Sequence, residues 1–122
     1  MPAGSPPTVQ VFGFDDSRAT RHALRFFKER GVGISYVDLR RKPIAPGELR
    51  RFVERLGARA LLDATSRSYR DGGLEHLRMD DAEIAERLLA DNHLLRLPLV
   101  RHGADVTAGR DEATWTRWAK GG

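Results

Sequence analysis

The chain opens with an alternating pattern and then changes to helical spacing. Val9 and Val11 alternate with more polar neighbours, which predicts a first β-strand around them. A polar turn ends at Ser17, whose hydroxyl suits the N-cap of a helix that runs to about Arg30. After two glycines, residues 34–38 alternate again, so the pattern predicts a βαβ unit. The apolar face of its helix would comprise Ala19, Ala23, Phe26 and Phe27.

The next stretch, about residues 43–92, carries the period of helices. Pro46 suits the first turn of one helix, and Asp80 or Asp81 caps another. A short helix is expected between them, at about residues 59–63. The apolar positions that recur at helical spacing are Leu49, Phe52, Val53 and Leu56 in the first helix, and Ile84, Ala85, Leu88 and Leu89 in the second.

The remaining residues return to strands. A strand is predicted over residues 94–101, with Pro98 inside it, and a turn leads to a further strand at residues 106–108. A final helix begins at Asp111. The order of elements predicts an α/β fold, with a mixed sheet of about four strands and a helical insertion.

Length and composition fit one domain. The chain has 122 residues, and we expect one domain over residues 8–120. Residues 1–7 are small and rich in proline, without the features of a signal peptide, so a disordered tail and a cytoplasmic location are expected. No apolar run is long enough to span a bilayer, and no membrane partner is expected.

The charge is uneven. Residues 17–59 carry 12 Lys and Arg against 4 Asp and Glu, whereas the rest of the chain is net acidic. A basic half can attract an acidic protein surface, nucleic acid or a small anion, and solvated helix faces are the alternative. No nucleic-acid-binding motif is present, and the four histidines do not have metal-ligand spacing, so no metal site is expected.

Several segments together resemble a known family. They are the strand, turn and helix start at Ser17, the strand end Tyr36-Val37-Asp38, the run from Leu56 to Leu62 followed by Tyr69, the run from Leu94 to Val100, and Gly109-Arg110. Their order resembles the ArsC/Spx-type arsenate-reductase-like proteins. The resemblance implies a thioredoxin-like fold built from about residues 8–42 and 93–120, with residues 43–92 as the helical insertion.

The resemblance places Ser17 at the position of the family's nucleophilic cysteine. The chain contains no cysteine. A serine hydroxyl ionises far less readily than a thiol, and it forms no disulfide with glutathione. His22 lies five positions on and should point away from Ser17, so no adjacent base is expected to activate it. Thr20 stands where Spx-type proteins carry the second cysteine of their redox switch.

The resemblance also implies three arginines around an oxyanion. The first is replaced by Asp63 and the second by Leu97, while Arg110 retains the third. Arg96 should point to the opposite face of its strand from Leu97. Pro98 is implied to be cis, and two interpretations are open: Leu97 and Pro98 hold an extended peptide beside Ser17, or the cis proline is only a retained constraint of the fold. The candidate ligand-binding residues are Ser17, Thr20, Leu97, Pro98 and Arg110.

The preferred hypothesis is a non-redox protein-binding or regulatory module. Its basic residues Arg21, Arg25 and Arg55 would contact an acidic partner, and the resemblance to Spx-type proteins suggests RNA polymerase. The first alternative is a glutathione-dependent reductase or transferase in which Ser17 stabilises the glutathione thiolate. The second is an arsenate reductase, which rests on the resemblance alone.

Overall fold

The computed structural model describes residues 7–121. The tail predicted over residues 1–7 therefore lies, except for Pro7, outside the described residues. The strands are β1 (Thr8–Gly13), β2 (Gly33–Asp38), β3 (Leu99–His102) and β4 (Asp105–Ala108). The α-helices are α1 (Arg18–Glu29), α2 (Pro46–Leu56), α3 (Arg67–Asp71), α4 (Asp81–Ala90) and α5 (Glu112–Ala119). Short 3₁₀ turns cover Arg59–Leu61, Leu74–His76 and Asn92–Leu94.

The strands form one mixed sheet of four strands in the order β2-β1-β3-β4. β1 pairs parallel with β2, and α1 crosses between them, as the predicted βαβ unit requires. β3 lies antiparallel to both β1 and β4. The α/β fold with a mixed sheet of about four strands is therefore confirmed.

The two faces of the sheet carry separate hydrophobic cores. Successive residues of β1 point to opposite faces, so Val11 packs against α1 and α5, while Phe12 packs against the insertion. The first core contains Ala23, Phe26 and Phe27 of α1 and Trp115 and Trp118 of α5. The second contains Leu49 and Phe52 of α2 and Ile84 and Leu88 of α4. Helices α1 and α2 consequently lie on opposite sides of the sheet.

The strand predicted over residues 94–101 is shorter than expected, because β3 begins only at Leu99. The preceding residues pair with a different partner: the Arg96 N–H donates to the Leu61 carbonyl at 2.8 Å, and Leu62 forms an isolated bridge with Leu95. Pro98 has no N–H to continue a ladder. The run from Leu94 to Val100 therefore pairs with two different segments. Its first part pairs with Leu61 and Leu62, and its last residues belong to β3.

A buried amide links the insertion to the loop after β2. Asn92 is 7% exposed, and its Oδ1 accepts a hydrogen bond from the Ile44 N–H at 2.9 Å. Its Nδ2 donates to the Leu88 carbonyl at 2.8 Å. Two backbone groups that would otherwise be unpaired in the core are satisfied by one side chain.

Candidate functional site

The start of α1 is the centre of the candidate site. The Ser17 Oγ accepts a hydrogen bond from the Thr20 N–H at 3.1 Å, and the Ser17 N–H donates to the Phe14 carbonyl at 3.0 Å. Ser17 is thus the N-cap of a 12-residue helix. Its hydroxyl satisfies a backbone donor that would otherwise lack a partner, which is a structural role that serine performs well without ionising.

Thr20 is not available to a ligand in this conformation. It is 0% exposed, and its Oγ1 has no hydrogen-bond partner within the described residues. The side chain fills the space above Gly13, where an added Cβ would lie 2.3 Å from that oxygen. The ligand contact expected for Thr20 therefore has no support in the geometry, because the residue packs between helix and strand.

Leu97 and Pro98 lie beside the turn that leads into α1. Phe12 pairs with Leu99, so continuing the antiparallel register puts Pro98 next to Gly13 and Leu97 next to Phe14. The Leu97–Pro98 peptide bond is cis. Pro98 is buried, and Leu97 is half-buried against the core of the insertion side. The structure therefore brings Leu97 and Pro98 to the Ser17 turn.

Arg110 is already bound to a carboxylate of its own chain. Its Nε and Nη2 lie 2.8 Å and 2.6 Å from Oε2 of Glu112. The same oxygen lies 2.6 Å from Nε2 of His22 on α1. The hydrogen bond with His22, followed by that from Arg110, holds the pKa of Glu112 below its ordinary value. The guanidinium of Arg110 is thus occupied by a carboxylate of the same chain.

Sequence reasoning missed this cluster of His22, Glu112 and Arg110. His22 and Glu112 are 90 residues apart, and only the packing of α1 beside α5 brings them together. A weak signal was present in the spacing of Arg110 and Glu112 around the start of α5. That spacing also fits ordinary helix capping, in which acidic residues favour the first turn.

Asp63 replaces an expected arginine and has a local role. Its Oδ1 accepts hydrogen bonds from the N–H and hydroxyl of Thr65, at 2.9 Å and 2.6 Å. Its own N–H donates to the Leu94 carbonyl at 2.8 Å. The carboxylate therefore stabilises the turn that leads to α3, and it adds a negative charge where the resemblance implied a positive one.

Arg96 is exposed, whereas its neighbour Leu97 is half-buried against the core of the insertion side. The rule that alternate side chains point to opposite faces does not apply, because Arg96 precedes β3. Its stem lies across Gly109, where an added Cβ would be 2.9 Å from Cγ and Cδ of Arg96. Gly109 has φ +76°, a conformation that favours glycine. Arg96 therefore packs against Gly109, the residue that precedes Arg110.

The predicted basic residues are divided by the sheet. Arg21 and Arg25 are exposed on α1, whereas Arg55 is exposed on α2, on the other face. The three side chains do not share one helix face. Arg21 and Arg25 instead belong to a row with Arg18 and Lys28, all exposed along α1. Within residues 7–121 none of the four forms an ion pair.

Beside the Ser17 turn, a cavity of about 290 Å³ opens toward the insertion. It is lined in part by Phe14, Arg40 and His93, and the rings of Phe14 and His93 stack at 4.2 Å. Asp91 accepts a hydrogen bond from the His93 N–H at 2.9 Å. Burial opposes ionisation of Asp91, but hydrogen bonds from His93 and Ser68 outweigh it and keep the pKa of Asp91 below its ordinary value.

The comparisons with known proteins fit this geometry. A sequence model of the ArsC family matches residues 12–118. The chain belongs to the ArsC family. Within that family it is a member without a cysteine. A search of curated proteins gives no match.

Solved structures of low sequence identity share the ArsC fold of this chain. The YFFB protein has a TM-score of 0.84 at 18% identity, covering 91% of this chain and 98% of its own. An arsenate reductase from Vibrio cholerae has a TM-score of 0.79 at 16% identity, covering 93% and 98%. An ArsC family related protein from Bacteroides fragilis has a TM-score of 0.82 at 15% identity, covering 90% and 96%. At these identities the likeness establishes the thioredoxin-like fold.

Residues 7–121 of this ArsC-family chain were searched for membrane-spanning helices and for metal-binding clusters. No helix there has both the length and the apolar character needed to cross a bilayer. No group of three or more histidine, aspartate or glutamate side chains in that range could hold a metal ion.

Proposed function

We propose that this ArsC-family protein acts without redox chemistry, by binding another protein through an acidic surface of that partner. The observation that carries the proposal is the pairing of Arg110 with Glu112. A guanidinium that already binds a carboxylate through two nitrogens has little capacity for an exogenous oxyanion. With Asp63 and Leu97 at the other two positions, the cationic site implied by the resemblance has no free arginine among its three positions.

The residues around Ser17 also argue against nucleophilic catalysis. A serine nucleophile needs a base within hydrogen-bond reach. The His22 Nε2 is engaged by Glu112, and the Ser17 Oγ caps the helix. With both groups engaged in this way, His22 is not placed to activate the Ser17 hydroxyl, and binding is the function that the remaining features support.

The exposed row on α1 is the proposed contact surface. Arg18, Arg21, Arg25 and Lys28 follow one another at spacings of three, four and three residues, which places them on one stripe of the helix. Ten residues of helix rise about 15 Å, so four positive charges lie within that length. Such a row attracts an acidic surface and speeds the encounter. The resemblance to Spx-type proteins makes RNA polymerase the first candidate partner.

Affinity capture from native cell extract tests the proposal. The double reversal Arg21→Glu/Arg25→Glu should lose a partner that the unaltered chain retains at low salt, and moderate salt should weaken retention. The matched control is Arg50→Glu/Arg87→Glu, which makes the same charge change at exposed positions on α2 and α4. A partner retained equally by both variants, or arsenate-dependent NADPH consumption by the unaltered chain with glutathione and glutaredoxin, would refute the proposal.

A further inference from the structure

The sheet has an open edge at β4. β4 is the last strand in the order, and within residues 7–121 its backbone is hydrogen-bonded to β3 alone. The Gly109 N–H donates to the Pro98 carbonyl at 3.0 Å, which fixes the alternation of the ladder. Residues 105, 107 and 109 face β3, so the N–H and C=O groups of Val106 and Ala108 face outward. An edge of this kind can accept another strand.

A trough surrounds this edge. A cavity of about 370 Å³ is lined by Arg55 and Leu56 of α2, by Arg117 and Trp118 of α5, and by residues 105–107 of β4 between them. Because α2 and α5 cover opposite faces of the sheet, a single cavity can contact both only at the sheet edge. The outward backbone groups of β4 therefore lie between two helices, in a space open to an extended chain.

The trough continues along the strand toward the β3–β4 turn. An adjoining cavity of about 230 Å³ is lined by Arg51, Arg101 and Gly103, and it shares Arg55 and Val106 with the first. A chain lying against β4 can therefore extend past the turn end of the four-residue strand. The groove has room for residues that flank the paired segment.

Arginines on both sides of β4 carry free positive charge, while the exposed Glu54 carboxylate lines the adjoining cavity near the β3–β4 turn. Within the described part of the chain, neither Arg55 nor Arg117 forms an ion pair. The Asp111 carboxylate caps α5, accepting from the Thr114 N–H at 3.1 Å and the Thr114 hydroxyl at 2.9 Å. Asp105 lies at the turn end of β4 and would repel an acidic residue beside it, which favours acidic residues farther along the strand.

We propose that β4 binds an extended peptide as a fifth strand, and that the peptide carries two consecutive acidic residues. Adjacent residues of a strand point to opposite faces, so one carboxylate reaches Arg55 and the next reaches Arg117. Backbone pairing with Val106 and Ala108 supplies affinity, and the two arginines select the sequence. The inference rests on the proposed function in one respect, that the partner is an acidic protein.

Amide NMR of the full chain tests the pairing. The probe is the blocked peptide acetyl-Thr-Val-Glu-Glu-Val-Thr-amide, titrated to millimolar concentration. We expect saturable shifts at Val106 and Ala108 and at both arginines. A series of peptides, each N-methylated at one residue, should lose binding at every second position, because alternate N–H groups face β4. That period of two distinguishes strand addition from charge attraction.

Charge variants test the selection. Arg55→Glu and Arg117→Glu should each weaken binding of the probe about tenfold. Arg50→Glu is the matched control, since Arg50 is exposed on the same helix as Arg55 but lines neither cavity, and it should change binding by less than about twofold.

Each other outcome overturns the inference. The absence of β4 shifts at millimolar peptide does so directly. Shifts confined to α1 would leave the proposed function intact and move the site to the basic row. Concentration-dependent β4 shifts without peptide would show that a second copy of this chain occupies the edge. If the Arg21→Glu/Arg25→Glu variant loses the captured partner and the peptide does not bind at β4, the proposed function stands and the fifth-strand inference fails.

Discussion

Two buried threonines give the sharpest test of the packing. Thr20 and Thr107 are 0% and 4% exposed, so replacing either with valine exchanges a buried hydroxyl for a methyl group of similar size. Their hydroxyls differ in partners. The Thr107 Oγ1 accepts a hydrogen bond from Nε1 of Trp115 at 2.9 Å, whereas the Thr20 Oγ1 has no partner within residues 7–121. The same substitution should therefore have opposite effects.

Thr20→Val should raise the free energy of unfolding by about 1 kcal/mol, because a buried hydroxyl without a hydrogen bond opposes folding. Threonine and valine have similar helix propensities, so the helix itself contributes little to the difference. Thr107→Val should lower the free energy of unfolding by about 1–3 kcal/mol, since it leaves the Trp115 N–H buried and unpaired.

Urea unfolding of the three proteins measures both effects. The midpoints should move in opposite directions at an unchanged slope, and the melting temperature should change by about 4 °C per kcal/mol. A Thr20→Val variant that loses as much stability as Thr107→Val would show that the Thr20 hydroxyl is paired, and the account of its packing above Gly13 would be wrong.

Four other predictions concern the site and its support. The pKa of Glu112 lies below the ordinary 4.5, so the stability it contributes is present above that pH and is lost as the pH falls through the lowered value. Glu112→Gln should flatten this acid limb in unfolding measured from pH 6 to pH 2, and a limb identical to that of the unaltered chain would contradict it. Asn92→Ala should lower the free energy of unfolding by about 2–3 kcal/mol, because it leaves two buried backbone groups unpaired; a loss below about 0.5 kcal/mol in urea unfolding would show that they find other partners. Ser17→Cys should acquire a thiol without arsenate turnover, since Asp63 and Leu97 remain; NADPH consumption with glutathione and glutaredoxin checks this. Glutathione at millimolar concentration should leave the amide resonances of Ser17, Leu97 and Arg110 unshifted in the unaltered chain, and saturable shifts there would instead favour a glutathione-dependent enzyme.

The local pattern of residues predicted most helices and strands, because the signals for each of them lie within the element or directly beside it in sequence. Ser17 caps α1 as predicted, and of the two candidates Asp80 and Asp81 it is Asp80 that caps α4; both side chains satisfy the first backbone donors of a helix. The short helix α3 was not predicted, because its five residues are too few to show a period. The start of β3 was placed five residues early, because Leu95 and Arg96, which pair with Leu62 and Leu61, lie in an apolar run that resembles a strand.

The site was less predictable than the fold, because it depends on contacts between distant segments. The replacement of two expected arginines by Asp63 and Leu97 could be predicted from the sequence, because it depends only on the order of residues. The pairing of Glu112 with both Arg110 and His22 could not, since it requires α1 and α5 to lie side by side. The division of Arg25 from Arg55 likewise follows from the packing of α1 and α2 on opposite faces of the sheet, which the charge pattern does not encode.

The position of β1 at the centre of the sheet has a consequence for folding. Its neighbour β2 follows after one helix, but its other neighbour β3 lies far away in sequence, with Gln10 and Arg101 91 residues apart. The β1–α1–β2 unit can form early, because its loop is short, whereas pairing with β3 must close a long one. Until α5 has been synthesised and has packed on the sheet, the rings of Phe26 and Phe27 lack their contact with Trp115. A growing chain would therefore display this aromatic surface through most of its synthesis, which makes the half-built sheet the stage most exposed to aggregation.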